Sequence, residues 1–246
     1  MLLSSLAKRE RIPEWMDDPA LDPEEHRCAL AGLARLNAWS DSVGVLWKPI
    51  RAMNRPLRVL DVATGSGDVP RGLMKRAKAA GVSLEVAGCD ISPTAIEAAK
   101  QASPGIRFFV HDAIRDPLPS GFDVVTCSLF LHHLDDDSAI LLLKRMAEAA
   151  GSLVLVNDLA RSRFNFLSVW FACHVLTRSR VVRFDGPASV RSAYSPAEAS
   201  ALAERAGLKG AQVRTRFPCR YLLQWRKHAN LPDASLLRCR KVICLG

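Results

Sequence analysis

The sequence lacks the features that mark membrane-spanning, disulfide-linked or zinc-binding chains. Its longest apolar stretch, residues 164–176, is about half as long as the roughly 20 residues that a membrane span needs. Its seven cysteines form no C-x-x-C pair and no cluster with histidine at zinc-ligand spacing, so we predict neither a disulfide framework nor a metal site. We expect a cytoplasmic protein whose cysteines in apolar runs pack as small hydrophobic side chains: Cys28, Cys89, Cys127 and Cys173.

Acidic residues are scarce in the C-terminal third of the chain. Residues 160–246 hold 16 Lys and Arg against 4 Asp and Glu, a balance of +12. Residues 1–159 hold 18 basic and 21 acidic residues, a balance of −3. This asymmetry favours contact with something anionic, such as a nucleic acid, a membrane surface or an acidic substrate. A solvated basic face is the alternative.

What the chain does contain is the composition of an ordinary globular protein. Hydrophobic residues make up 49% and charged residues 24%, which excludes an intrinsically disordered chain. A length of 246 residues suits one large α/β domain or two small ones. We find no internal repeat and no low-complexity linker, and we predict a single domain over residues 1–246.

Short apolar runs alternate with helical patterns along most of the chain. The runs predicted as strands are 58–62, 84–89, 106–110, 122–127, 153–156, 212–217 and 221–225. The helical patterns between them are 69–80, 92–101, 137–149 and 195–207. This alternation predicts an α/β fold with a Rossmann-like, doubly wound and mostly parallel seven-stranded sheet. The last two strands are too close for a crossover helix and should form an antiparallel hairpin.

Five parts of the domain follow from this pattern. The sequence predicts N-terminal helices, a central core, a helical lid insertion after the fifth strand, a C-terminal helix with the hairpin, and a tail. Their respective bounds are 1–55, 56–160, 161–194, 195–230 and 231–246. One N-terminal helix is expected to begin at Pro23 behind Asp22, which would serve as its cap.

The strongest motif follows the first predicted strand. That strand leads into Thr64-Gly65-Ser66-Gly67. Because glycine has no Cβ, the backbone here can approach a ligand more closely than other residues would allow. Pro70 stands where a dinucleotide fingerprint needs its third glycine, and the lysine of a phosphate loop is missing. Asp61, four residues ahead of the first glycine, instead suits a cationic, phosphate-free ligand such as an amino-acid moiety.

Two further acids follow the next two strands. Asp90 can accept two hydrogen bonds from ribose hydroxyl groups. Asp112 can accept a hydrogen bond from an adenine amino group, with the Ala113 amide facing the ring. Because the carboxyl ends of parallel strands meet at one edge, both acids and Asp61 should converge on the ligand crevice. Each acid taken alone could equally cap a helix.

With these motifs the sequence resembles the class I S-adenosylmethionine (SAM)-dependent methyltransferases. Its first motif is especially similar to that of the ubiquinone/menaquinone C-methyltransferases, and the resemblance covers roughly residues 57–160. It implies SAM as the cofactor, with Gly65, Ser66 and Gly67 around the methionine part and Asp90 on the ribose. The other predicted residues of the SAM pocket are Asp61, Ala63, Ile91, Asp112, Ala113 and Ser128.

The segment after the fourth predicted strand is where enzymes of this class often place residues that face the methyl acceptor. His132 or His133 is the predicted general base, because histidine titrates near neutral pH. A structural histidine packed on the SAM pocket is the alternative. Asp158, after the fifth strand, is the third catalytic candidate, or else a cap for the residues that follow.

An apolar helix over residues 164–176, followed by arginines, is predicted to cover the acceptor. Phe166 and Trp170 are expected to contact an aromatic or acyl-chain acceptor, and Arg180 and Arg183 a phenolate or carboxylate on it. The alternative is a helix that only completes the core.

The predicted function is that of a SAM-dependent methyltransferase with a small hydrophobic acceptor, aromatic or polyketide-like, methylated on oxygen in preference to carbon. The alternatives are an RNA methyltransferase that uses the basic C-terminal third, and a SAM-binding protein without catalytic activity. Nucleic acid is the less favoured partner, because Cys127-Ser128-Leu129-Phe130 matches neither the Asp/Asn-Pro-Pro-aromatic motif of DNA amino-methyltransferases nor the Pro-Cys of 5-methylcytosine RNA enzymes. Peripheral contact with a membrane stays open.

Overall fold

The computed structural model describes residues 4–18, 20–22, 24–25, 27–29, 32, 35–36 and 40–227. Within this part of the chain one sheet contains the strands β1 (Leu57–Val62), β2 (Leu84–Asp90), β3 (Arg107–Val110), β4 (Phe122–Ser128), β5 (Ala150–Leu159), β6 (Gln212–Arg216) and β7 (Arg220–Arg226). Their order across the sheet is β3-β2-β1-β4-β5-β7-β6. The predicted tail, 231–246, and position 23 of the predicted N-terminal helix lie outside the described residues.

The sheet confirms the predicted topology. Strands β1 to β5 run parallel, and β7 is antiparallel to both β5 and β6. Strand β5 is longer than its apolar centre at 153–156 predicts, because β7 pairs with it as far as Leu159. The extra length takes the polar residues at the carboxyl end of β5 into the sheet.

Helices lie on both faces of the sheet. They are α1 (Ser42–Arg51), α2 (Asp68–Ala79), α3 (Pro93–Ala102), α4 (Asp136–Ala149), α5 (Arg163–Leu176), α6 (Arg180–Ser192) and α7 (Pro196–Arg205). Short 3-10 helices occupy Ser4–Ala7, Trp15–Asp17 and Leu131–His133. The serine that precedes α3 caps it, and the serine that precedes α7 forms a capping box with Glu198.

The core has one layer on each face of the sheet. In β1, Leu60 and Val62 pack into a cluster with α4 and α7, whereas Leu57 and Val59 pack into a second cluster with α1 and α2. This division follows from the two-residue period of a strand. Because both faces are covered, the parallel strands consist mostly of apolar residues.

The segment predicted as a lid insertion contains a pair of packed helices, α5 and α6. The sequence pattern does not predict α6, because Gly186 and Pro187 lie inside it. A Cβ on Gly186 would lie 2.5 Å from the Sγ atom of Cys173 on α5. Glycine at this position therefore lets the two helix backbones approach each other.

The cysteines follow the prediction with one exception. Cys89, Cys127 and Cys173 are buried, whereas Cys28 is exposed. Cys28 lies in a helical segment of which residues 27–29, 32 and 35–36 are described. Ala29 and Gly32 are the buried positions among them, and Cys28 lies outside the stripe that these two form. Among the described residues, no helix is both long enough and apolar enough to cross a membrane.

Candidate active site

The carboxyl edge of the sheet brings the ends of four parallel strands together. Val62, Cys89 and Cys127 lie in register on β1, β2 and β4, so the residues after them emerge side by side. These following residues are Ala63, Asp90 and Ser128. Asp112 follows β3 at the same edge. The fold thus groups predicted cofactor residues from four strands in one crevice.

Asp90 connects two loops of this crevice. Its Oδ2 atom accepts a hydrogen bond from the Gly65 amide at 2.8 Å, and its Oδ1 atom accepts one from the Ser92 amide at 2.9 Å. A carboxylate has about four lone-pair positions, so two remain for hydroxyl groups of a ligand. The next residue, Ile91, is 63% exposed and leaves an apolar surface beside the carboxylate.

The two glycines of the β1–α2 turn have different roles. Both have left-handed backbones, with φ of +54° at Gly65 and +78° at Gly67. A Cβ on Gly67 would lie 2.7 Å from the Cζ atom of Phe108, so this glycine lets the turn pack against β3. A Cβ on Gly65 would meet nothing within 4 Å. Gly65 and the exposed Ser66 therefore border open space.

Asp61 lies beneath this turn. It is 1% exposed, and its two carboxylate oxygens accept hydrogen bonds from the hydroxyl groups of Thr64, at 2.8 Å, and Thr126, at 2.7 Å. Burial raises the pKa of Asp61 to about 7, although both hydroxyl groups act to lower it. In this structure Asp61 therefore supports the turn from below instead of facing the crevice.

Asp112 closes a turn of its own after β3. Its Oδ1 atom accepts hydrogen bonds from the amides of Ile114, at 2.9 Å, and Arg115, at 3.0 Å. Desolvation acts to raise the pKa of Asp112, but these amides and the charge of Arg115 together lower it. These amides belong to a turn over residues 113–116, so Asp112 caps a turn and not the helix considered as the alternative. Its Oδ2 atom lies 3.7 Å from Arg115 Nε.

A second, largely apolar cavity adjoins the crevice beyond β4. Its described lining consists of Glu14, Leu36, Ser40, Leu129, His132, His133, Leu159, Val169, Ala172, Gly186, Ser189, Pro218, Cys219 and Arg220. These residues come from the β4–α4 turn, the end of β5, helices α5 and α6, the start of β7 and the N-terminal segment. Leu129 directly follows Ser128, so this cavity, which we call the acceptor cavity, begins where the crevice ends.

Three ionisable side chains form a chain at one wall of the acceptor cavity. His132 Nδ1 lies 2.6 Å from Asp158 Oδ1, and His132 Nε2 lies 3.7 Å from Glu14 Oε1. Burial acts to lower the pKa of His132, but the two carboxylates outweigh it and raise this pKa. Burial acts to raise the pKa values of both carboxyl groups, and the histidine charge lowers them overall. The two carboxylates therefore favour the imidazolium form of His132.

The N-terminal segment 9–16, which we call the strap, carries Glu14 to this wall. Arg9 donates through Nη2 to the carbonyl oxygens of His132, at 2.8 Å, and Leu134, at 2.6 Å. The hydroxyl group of Ser189 on α6 donates to the Glu14 carboxylate. The strap therefore contacts both the histidine turn and the lid helices.

Asp185 of α6 holds the far end of the strap. Its two carboxylate oxygens accept hydrogen bonds from the amides of Trp15, at 2.8 Å, and Met16, at 3.1 Å. The rings of Trp15 and Phe184 stack with their centroids 4.2 Å apart. These contacts determine where Glu14 enters the acceptor cavity.

The lid residues predicted to touch the acceptor lie elsewhere in this structure. Phe166 is buried against Leu6 and Val190, and Trp170 is half exposed and contacts His174 at a ring distance of 4.3 Å. The same helix places Val169 and Ala172 in the described lining of the acceptor cavity. In a helix of 3.6 residues per turn, the positions that face the cavity here are those of Val169 and Ala172. The bulkier side chains of Phe166 and Trp170 lie at other positions around the helix.

The two lid arginines have separate positions. Arg183 donates to the carbonyl oxygens of Thr177 and His174, both at 3.2 Å, and so caps the end of α5. Arg180 is exposed at the start of α6. Neither belongs to the described lining of the acceptor cavity.

Sequence reasoning missed four polar residues in the described lining of the acceptor cavity, Glu14, Ser40, Ser189 and Arg220. Arg220 is buried and donates to the Ser40 hydroxyl at 2.6 Å, and burial lowers its pKa to about 10. Arg220 directly precedes the apolar run Tyr221-Leu222-Leu223, and this position was a usable signal for a buried charge. Glu14 lies in an irregular segment, and no sequence spacing links it to His132.

Comparison with known proteins agrees with this geometry. Residues 59–151 match the family described as "Methyltransferase domain". A demethylmenaquinone methyltransferase of Deinococcus radiodurans is 37% identical over 107 residues, which cover 41% of this chain and 43% of that protein. One from Thermus thermophilus is 36% identical over 107 residues, covering 41% of this chain and 47% of that protein. This chain thus matches less than half the length of these two relatives.

Solved methyltransferase structures share the fold. The plantazolicin methyltransferase BpumL, in complex with a monoazolic desmethylPZN analog and SAH, has a TM-score of 0.66 at 14% identity, covering 85% of this chain and 91% of that one. Magnesium protoporphyrin IX methyltransferase from Synechocystis PCC 6803, with bound SAH, has a TM-score of 0.55 at 18% identity, covering 86% and 90%. At such identities the likeness concerns the fold.

Residues 59–151 thus match a methyltransferase domain, and the fold resembles those of solved methyltransferases that bind SAH. Through this central segment the chain is similar to demethylmenaquinone methyltransferases. The residues at the crevice fit SAM: Asp90 keeps lone pairs for two hydroxyl groups, Ile91 offers an exposed apolar surface, and Gly65 borders space that a Cβ would enter.

Proposed function

We propose that this protein methylates a small hydrophobic acceptor, aromatic or polyketide-like, on a hydroxyl oxygen in preference to a carbon atom. The observation that carries the proposal is the largely apolar acceptor cavity, next to the cofactor crevice, with His132 buried between the carboxylates of Asp158 and Glu14 in its wall. Apolar cavities with a few convergent polar groups are typical of small-molecule sites. The imidazolium would attract an acceptor oxygen that carries or develops negative charge.

In the crevice, SAM would supply a methyl group activated by a positively charged sulfur. Asp90 would accept hydrogen bonds from the ribose, and the backbone of the Gly65-Ser66-Gly67 turn would follow the methionine part, with Asp61 supporting the turn. Asp112 and the apolar pair Ile91 and Ala113 would surround the adenine. The remaining residues proposed to line the pocket are Ala63 and Ser128.

In the acceptor cavity, His133 is the proposed general base. It would take the proton from the acceptor hydroxyl, and the His132 imidazolium would stabilise the resulting oxygen anion. Asp158 and Glu14 keep His132 charged and fix the orientation of its ring. Because the two carboxylates favour the protonated form of His132, we assign the base role to His133 and the electrostatic role to His132.

The lid helices α5 and α6 would cover the bound acceptor. Val169 and Ala172 provide the contact from α5, and Gly186 and Ser189 provide it from α6. Trp170, Phe166, Arg180 and Arg183, first expected at the acceptor, would act through the position of these helices.

Turnover of SAM with a panel of phenols tests the proposal. Replacing His133 with alanine should lower kcat by roughly 10²–10⁴, the usual contribution of a general base, and leave SAM affinity unchanged. His174→Ala is the matched control, because His174 is exposed on α5 outside the described lining of the acceptor cavity. A normal rate for His133→Ala would refute the base role and favour carbon methylation of an ionised phenol.

A further inference from the structure

Helix α5 and the β6–β7 turn present an unusually large apolar surface to solvent. Six large side chains on this surface are between 46% and 84% exposed: Phe164, Leu167, Trp170, Phe171, Val175 and Phe217. We call this set the apolar face. A groove lined in part by Phe164, Phe171, Val175 and Phe217 joins the helix to the turn. Single exposed apolar residues are ordinary, but a contiguous patch of this size marks an interaction site.

The charge around the apolar face has one sign. Residues 160–184 include no aspartate and no glutamate, and they include five arginines. Arg163 is exposed at the start of α5, and Arg178 and Arg180 are exposed just beyond its end. The apolar face is thus flanked by cations at both ends of the helix.

We propose that the apolar face docks on the surface of an anionic phospholipid bilayer. A helix with an apolar face and basic flanks lies in the plane of the interface, with its large side chains among the upper acyl chains. The flanking arginines would then reach the lipid phosphates, and anionic lipids would attract them further. Trp170 is an amphipathic residue of the kind found at this depth.

The same observations disfavour the other occupants of this surface. A second copy of the chain packed face to face would bring arginines against arginines, with no acidic residue on the segment to compensate them. An acceptor bound under the lid would not cover the whole face, because Leu167 and Trp170 belong to the described lining of neither the acceptor cavity nor the groove.

The groove is also continuous with the acceptor cavity. Ala172, Pro218 and Cys219 line both. If the proposed function holds, a hydrophobic acceptor can pass from the bilayer into the acceptor cavity along these three residues. This passage rests on the proposed function, whereas the docking itself needs neither SAM nor an acceptor.

Vesicle co-sedimentation with the full chain tests the docking directly. We expect binding to vesicles of phosphatidylcholine mixed with phosphatidylglycerol, and weaker binding to phosphatidylcholine alone.

The double variant Phe164→Ser, Phe217→Ser should lose at least tenfold in vesicle affinity. Arg163→Gln combined with Arg178→Gln should remove the preference for anionic vesicles and its sensitivity to salt. Leu141→Ser, at an exposed leucine of α4 outside the apolar face, should bind as the unchanged protein does.

SAM affinity measured on every variant shows whether the fold is intact. The proposal is overturned if the unchanged protein does not sediment with anionic vesicles, or if the phenylalanine variant sediments equally well. It is also overturned if sedimentation equilibrium shows a dimer that Phe217→Ser dissociates, because the apolar face would then be an interface between copies. Since vesicle binding is measured without a methyl acceptor, its failure is distinct from failure of the proposed reaction.

Discussion

Asp90 holds two parts of its own chain as well as facing the crevice. Its carboxylate accepts hydrogen bonds from the amides of Gly65 and Ser92, so the loops after β1 and β2 are held together before a ligand binds. A site organised in this way loses little conformational entropy on binding. Substitutions at Asp90 should therefore affect both the loops and the affinity for SAM.

The first residue-scale prediction concerns Asp90→Ala. Each hydrogen bond to a charged group contributes about 1.5–3 kcal/mol, so loss of those proposed to the ribose should weaken SAM binding at least tenfold. Asp90→Asn keeps one accepting oxygen and should give an intermediate affinity. Calorimetric titration with SAM measures both variants, with Glu97→Ala, an exposed acid on α3, as the control. Unchanged affinity in a folded Asp90→Ala protein would place SAM elsewhere.

The second residue-scale prediction concerns Asp61, whose pKa burial raises to about 7 from an ordinary value of 3.8. Between these two values the folded state binds more protons than the unfolded state, so the free energy of unfolding should fall as pH rises from about 4 to about 7. Asp61→Asn removes this titration. In the SAM-free protein, the Tm of Asp61→Asn relative to the unchanged protein should therefore be higher at pH 8 than at pH 5.

Asp68→Asn is the control for Asp61→Asn, because Asp68 is an exposed carboxylate at the end of the same turn. Its Tm difference from the unchanged protein should stay constant between the two pH values. An equally constant difference for Asp61→Asn would show that Asp61 does not titrate in this range.

At the residue scale, sequence spacing predicts the cofactor edge better than the acceptor side. Asp90, Ala63 and Ser128 each follow a parallel strand, and strand ends meet at one edge wherever the sheet is parallel. Glu14 instead reaches His132 from a segment without strand or helical period, across more than a hundred residues. Only tertiary packing brings these two together, so no local pattern predicts the contact.

At the scale of elements, the strap links helix α6 to the turn that holds His132 and His133. Arg9 binds the carbonyl oxygens around His132, while Asp185 on α6 binds the amides of Trp15 and Met16. A change in the position of α6 should therefore change the position of the Glu14 side chain. The helix itself is missed by sequence reasoning because glycine and proline, the poorest helix formers, lie within it, and packing on α5 outweighs their propensity.

The prediction at this scale concerns Asp185→Ala. It leaves two amides of the strap without their acceptor, which costs about 1–3 kcal/mol for each unsatisfied buried group. Hydrogen exchange in residues 10–18 should accelerate, and KM for the acceptor should rise while SAM affinity stays unchanged. Asp185→Asn, which keeps one accepting oxygen, should restore part of the protection. Glu204→Ala, at an exposed position of α7, is the control. Unchanged exchange in Asp185→Ala would mean that the strap is held by other contacts.

At the scale of the whole molecule, some basic residues in the described part of the C-terminal third bind groups of the protein itself. Arg161 is buried and paired with Glu198, and Arg205 lies within 4 Å of Asp136 and Asp137. Lys227 donates to carbonyl oxygens at the end of α4 and the start of β5. Asp136 and Asp137 lie outside this third, so they compensate part of the balance of +12 that the sequence gives for residues 160–246.

This distribution predicts weak and non-specific contact with RNA. At physiological salt, fluorescence polarisation with single-stranded oligonucleotides should give dissociation constants no tighter than the roughly 10⁻⁴–10⁻⁶ M of non-specific binding. The affinity should depend steeply on salt and little on base sequence. Tight, sequence-dependent binding at physiological salt would instead support the RNA methyltransferase alternative.

The contact between Gly186 and Cys173 has a consequence for altering the range of acceptors. Any side chain at position 186 would enter the space of the Cys173 thiol, so substitutions there should destabilise the helix pair by about 1–3 kcal/mol. Ala172, which lines the same cavity from the facing helix, is the position from which its size can be changed. Ala172→Gly would enlarge the cavity and Ala172→Val would narrow it, without disturbing the glycine on which the two helices depend.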